Sequence, residues 1–154
     1  SLAVQDQYCF IADTHNHHVK VFAWRDGTLV RVFGRYTHQE PVVDPFDPYC
    51  RVIGCHAAWR GSGSGEFNEP YGIAVRDGKL YVSEKEGRRI QVFRLPGDMR
   101  GPSDLELLQC VRPRSGGPPG LGGSPGRLCV DDDGQLWCIV RHGTEKVHMF
   151  RPCV

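Results

Sequence analysis

The side chains best suited to chemistry are unevenly spread. Cys50 and Cys55 precede His56, with His38 upstream. Thiolate and imidazole are zinc ligands, but structural zinc sites space their cysteines two to four residues apart and add a matching second pair. That second pair is missing, so zinc binding, a Cys50–Cys55 disulfide and free thiols all stay open. His38, Cys50, Cys55 and His56 are weak metal candidates. His15-Asn16-His17-His18 crowds three imidazoles together. Adjacent strand residues point to opposite faces, however, and Asp13 with Asn16 suits a side-chain-stabilised turn. Arg112, Arg114 and Arg127 border the stretch SGGPPGLGGSPG with no acid between them. They read as part of a flexible polar loop or as a small basic patch for a phosphate or an acidic partner. Tyr36, Phe46, Tyr49 and Trp59 share residues 35–60 with three prolines. A structureless loop of that length is uncommon. Its aromatics either fold back as a lid or anchor a partner, since aromatics dominate interface hot spots.

Catalytic signatures are thin. No P-loop or H-E-x-x-H occurs. The expectation is therefore a non-enzyme without a cofactor.

The elements that must position these residues follow one grammar. In residues 65–93, an apolar run at Gly72-Ile73-Ala74-Val75 is followed by a turn with Gly78 at its tip. Leu80-Tyr81-Val82 comes next, then a charged turn, then the alternating Ile90-Gln91-Val92-Phe93. Short alternating runs joined by tight polar turns predict an antiparallel meander. Residues 2–22 and 128–150 repeat it, and Phe22, Phe93 and Phe150 close the three copies. Leu29 to Phe33 and Leu105 to Val111 supply fourth strands for the first two; the third copy lacks one. The intervals between copies exceed the roughly 40–45 residues of a four-stranded blade, which puts the excess in loops.

These residues resemble the NHL repeat. The lead Gly65…Phe67…Pro70-x-Gly72-Ile73-Ala74-Val75 and the closing Arg89-Ile90-Gln91-Val92-Phe93 are similar to the family pattern, as is the segment from Phe10 to Phe22. The third copy departs from it at Val140-Arg141. The resemblance implies an all-β propeller of NHL type, with about three four-stranded antiparallel blades in an incomplete ring. Its parts are blade 1 at 1–34, an insertion at 35–64, blade 2 at 65–111, a Gly/Pro-rich loop at 112–126 and a partial blade 3 at 127–154. Propellers of this family serve as protein scaffolds, RNA readers and, in one branch, lyases.

A net charge of +1 over 154 residues names no charged partner, and no run approaches the length of a membrane span. The seven cysteines fall mostly in strands, which suits reduced buried thiols in an intracellular, cytoplasmic protein. A stack of three blades leaves two faces bare, whereas propellers close with roughly four to eight. Completion by further sequence, a second copy, another subunit or a host assembly is expected. In the meander, the loops at 14–17, 35–64, 85–87, 112–126 and 141–144 share one rim. The functional expectation is a non-catalytic protein-interaction scaffold with no small-molecule substrate. It works through Tyr36, Phe46, Tyr49 and Trp59 on that rim, supported by Arg112, Arg114 and Arg127. RNA binding of the tripartite-motif kind is the alternative, and a metal-dependent lyase or hydrolase on a six-bladed ring comes last.

Overall fold

The computed structural model describes residues 1–34, 63–112, 123–142 and 144–150. They form three antiparallel sheets. Blade 1 comprises β1 (Leu2–Gln5), β2 (Tyr8–Asp13), β3 (His18–Ala23) and β4 (Leu29–Phe33), hydrogen-bonded in chain order. Blade 2 repeats the order with β5 (Pro70–Arg76), β6 (Lys79–Glu84), β7 (Arg89–Arg94) and β8 (Glu106–Val111). Blade 3 has three strands, β9 (Ser124–Val130), β10 (Leu136–His142) and β11 (Thr144–Phe150). The fold is an all-β partial propeller.

Turn chemistry sets the register. Arg76 pairs with Lys79 across Asp77-Gly78, where φ is 48° and 69°. Positive φ at both central residues matches the right-handed twist of the strands, and Asp-Gly is a preferred pair for it. Between β2 and β3 the chain takes a short 3₁₀ turn, Thr14–Asn16, ending on His17 at φ 54°.

Alternation then decides which residues form the core. Phe10, Ala12, Val19 and Val21 of blade 1 face blade 2 and pack with Phe67, Ile73, Leu80, Val82 and Phe93. The other face of blade 2 presents Ala74, Tyr81, Ile90 and Val92 to Leu136, Cys138 and Val140 of blade 3. The middle blade is thus apolar on both faces. Blade 3 closes on blade 2 at Gly72, whose N–H donates to Ser83 Oγ at 2.8 Å. That hydroxyl in turn donates to the Gly126 carbonyl at 2.5 Å. A Cβ at Gly72 would collide with both partners.

Two details depart from the sequence reading. The third meander begins at Ser124 rather than near residue 127, because Ser124 and Pro125 pair with Arg141 and Val140 beyond a register shift. The turn expected at 141–144 is mostly strand, since His142 still pairs with Thr144. The cysteines divide as well: Cys138 is buried, while Cys110 and Cys129 are exposed. Lying in a strand did not bury those two: Cys129 faces a side of blade 3 with no neighbour among the described residues, and Cys110 lies in β8, the last strand of blade 2.

Candidate functional site

A cleft of about 580 Å³ opens on the rim where the turns between second and third strands gather. Blade 1 contributes Ile11, Asp13, Lys20 and Phe22, which alternate with its core residues and so point away from blade 2. The adjoining turn adds Thr14 and His15; blade 2 adds Glu69, Tyr71 and Lys85; blade 3 adds Ser124 to Gly126 and Arg141.

Local bonding holds this rim in place. Asn16 Nδ2 donates to the Asp13 carboxylate at 2.9 Å, and Lys20 Nζ lies 2.5 Å from it. Burial opposes ionisation of Asp13, but the bonds from Lys20 and Asn16 outweigh it and hold the carboxyl below its ordinary value. His17 is buried, and its Nδ1 accepts the Glu69 N–H at 2.8 Å. The imidazole therefore clamps the lead-in of blade 2 to the turn of blade 1. The Lys85 N–H donates to the Glu69 carbonyl at 2.9 Å, and Lys85 Nζ lies 3.7 Å from the Glu69 carboxylate. That lysine side chain is 54% exposed, so water screens the pair and leaves the ammonium able to meet an incoming anion.

Beneath the lead-in loop lies a buried polar knot. Arg89 Nε donates to Glu84 Oε1 at 2.6 Å, as does Gln91 Nε2 at 2.7 Å. The Asn68 N–H donates to the other Glu84 oxygen at 2.9 Å. Arg89 also reaches the Gly63 and Glu66 carbonyls, at 3.1 and 2.8 Å. Burial pushes the Glu84 carboxyl up, against the pull of Arg89, Asn68 and Gln91. Its partners are all internal and it does not line the cleft, so this knot is scaffold.

The expected site residues fare differently. Tyr36, Phe46, Tyr49, Trp59 and Arg114, with His38, Cys50, Cys55 and His56, lie outside the described residues. Arg112 and Arg127 are exposed, and neither lines the cleft. Among the described residues no three His, Cys, Asp or Glu side chains gather as a metal site requires. None of the described helices is long and apolar enough to cross a membrane. The cleft residues Asp13, Lys20, Glu69, Lys85, Ser124 and Arg141 were missed by motif reading. The signal that locates several of them is topological: the connections after β2, β6 and β10 share an end of the sheets, as the meander order demands.

No protein-family model matches the sequence, and no curated protein matches it. Solved structures do. Glutaminyl cyclase from Myxococcus xanthus superposes with a TM-score of 0.54 at 15% identity, covering 99% of this chain and 47% of that one. KlAtg21, in its complex with the coiled-coil of AgAtg16, superposes at 0.51 with 14% identity, over 99% and 39% of the two chains. The PQQ-bound aldose sugar dehydrogenase of Streptomyces coelicolor gives 0.49 at 16% identity, over 96% and 41%. The chain spans less than half the length of each. The first two likenesses support the propeller architecture. The first also corrects two expectations, that the chain is not an enzyme and that it is a non-catalytic interaction scaffold. Almost the whole chain superposes on an enzyme, so neither the repeat architecture nor the missing short motifs can exclude catalysis.

Proposed function

We propose that the chain is the substrate-holding part of a propeller enzyme built from NHL-type repeats, and that its cleft takes a small molecule with an apolar body and a carboxylate. The observation that carries this reading is the convergence of all three blades on one cavity of about 580 Å³. That volume lies within the roughly 300–1,000 Å³ of ligand sites. Ile11, Phe22 and Pro125 offer the apolar wall, Lys85 and Arg141 the cations, and Tyr71 and Ser124 hydroxyls for orientation. The glutaminyl cyclase likeness adds that this architecture is compatible with catalysis. The NHL assignment draws support from the work its signature residues do. Phe67 fills the joint between blades 1 and 2, Gly72 admits the close approach of blade 3, and Asp13 with Asn16 ties the turn.

Titration with a panel of N-acyl amino acids and their neutral amides, followed by NMR shifts, tests the reading. Saturable binding of the acids should weaken about tenfold in Lys85→Ala or Arg141→Ala, the cost of one charge-assisted hydrogen bond. Arg127→Ala, off the cleft, should bind as wild type does. No saturable binding, or equal weakening in all three variants, would overturn it.

A further inference from the structure

At the lip of the cleft, one hydrogen bond joins two residues in left-handed backbone. His17 and Glu69 both have φ 54°. Histidine enters that region more readily than glutamate does, so Glu69 is the residue that its surroundings must hold. Residues kept in sparsely populated backbone cluster where a chain binds or switches. Nδ1 of the buried His17 accepts the Glu69 N–H at 2.8 Å. The Lys85 N–H donates to the Glu69 carbonyl at 2.9 Å, and the Gly87 N–H to the Asn68 carbonyl at 3.1 Å. The Asn68 N–H donates to Glu84 Oε2 at 2.9 Å. Glu69 lines the cleft, as do Tyr71 and Lys85 of blade 2 and Thr14 and His15 of the turn that ends on His17.

These bonds differ in what can break them. The carbonyl acceptors do not titrate, whereas an imidazole accepts through Nδ1 only while it is neutral. A protonated ring would set a second N–H against that of Glu69 in a buried place. We infer that His17 is a pH-sensitive latch that positions the lip of the cleft: protonation withdraws the acceptor from Glu69 and frees the lead-in from its left-handed turn. The latch holds above the histidine range and lets go as pH falls through it. Other charged groups of the turn and the lead-in are engaged nearby. Asp13 pairs with Lys20, Glu69 with Lys85 and Glu84 with Arg89, and Glu66 accepts the Gly63 N–H. His15 and His18, the neighbours of His17 in the chain, are also imidazoles, so the latch has to be read at Glu69 itself. The inference rests on the joint between blades 1 and 2 and not on the ligand proposed for the cleft.

Proton–nitrogen NMR of the chain from about pH 8 to about pH 5, the window in which histidine changes charge, tests it. The Glu69 amide proton should move upfield with the same midpoint as the His17 ring protons, and the Lys85 and Tyr71 amides should follow. Protection of the Glu69 amide from hydrogen exchange should fall about tenfold, the weight of one hydrogen bond. His17→Asn places an amide oxygen that does not titrate near the position of Nδ1, and asparagine suits left-handed backbone. That variant should keep the Glu69 amide downfield and protected across the window. A Glu69 amide that stays still while the His17 ring titrates would overturn the inference, as would a ring that keeps one charge state throughout. A His17→Asn protein that responds as the wild type does would overturn it too. A shift confined to the Asn68 amide would assign the response to Glu84 and sink the latch. Should His17→Asn fail to fold, the wild-type comparison of ring and amide decides alone.

Discussion

Burial separates cysteines that look alike in the sequence. Cys138 sits between blades 2 and 3, where burial pushes its thiol up to about 11. Only the thiolate is nucleophilic, so Cys138 should resist iodoacetamide at neutral pH in the folded protein. Cys110 and Cys129 are exposed and should be alkylated first, as peptide mapping by mass spectrometry would read. Modification of Cys138 at the rate of Cys129 would contradict the packing. Asp13 supplies a pH dependence. Its carboxyl is held below its ordinary value, so the stabilisation is present above the ordinary carboxylate range and is lost as pH falls through the depressed value. Asp13→Asn should cost up to about 1 kcal/mol at pH 7, the usual scale for a part-exposed ion pair. The gap from wild type in urea denaturation should shrink as the pH is lowered past the carboxylate range. A gap that widens in acid would reverse the sign and refute the assignment. The His15–His18 cluster shows what composition can reveal. The Asp13–Asn16 turn follows from residue types, whereas the clamp from His17 to Glu69 joins residues 52 apart and has no local signature.

At the scale of the element, the strands were readable because alternation and Asp-Gly turns are local properties. The expected fourth strand at Leu29 to Phe33 is β4 to the residue. Which face meets which neighbour is not local. Cys129 occupies the register position of Ala74, and Ala74 is buried because a blade lies over it. The lead-in loop gives the sharpest test of how blades join. Phe67 is 1% exposed and meets Phe93 edge-on at 5.8 Å. Phe67→Ala should cost about 3–5 kcal/mol, the range for deleting a buried aromatic ring. Gly72→Ala adds one methyl group where two polypeptide backbones approach, and overpacking of that kind costs about 1–3 kcal/mol. Chemical denaturation of both variants at pH 7 measures the two losses. A neutral Gly72→Ala would mean that blade 3 can retreat without penalty.

At the scale of the whole molecule, the blades differ in cover. Blade 2 is packed on both faces, while blades 1 and 3 each turn one apolar face outward. In repeat architectures stability is roughly the sum of each repeat and its neighbour contacts. The terminal blades therefore hold one contact where the middle blade holds two. Leu80, Val82, Ile90 and Val92 are fully buried, so the amides of β6 and β7 should exchange slowest and open only with global unfolding. Those of β1 and β11 should exchange faster in dilute solution. Three blades could be counted from the sequence, since each has its own pattern of short runs. Whether the flanks are bare or joined depends on a surface that alternation places but cannot pair. If the amides of β1 and β11 exchange as slowly as those of β6 and β7, the flanks are not bare in solution.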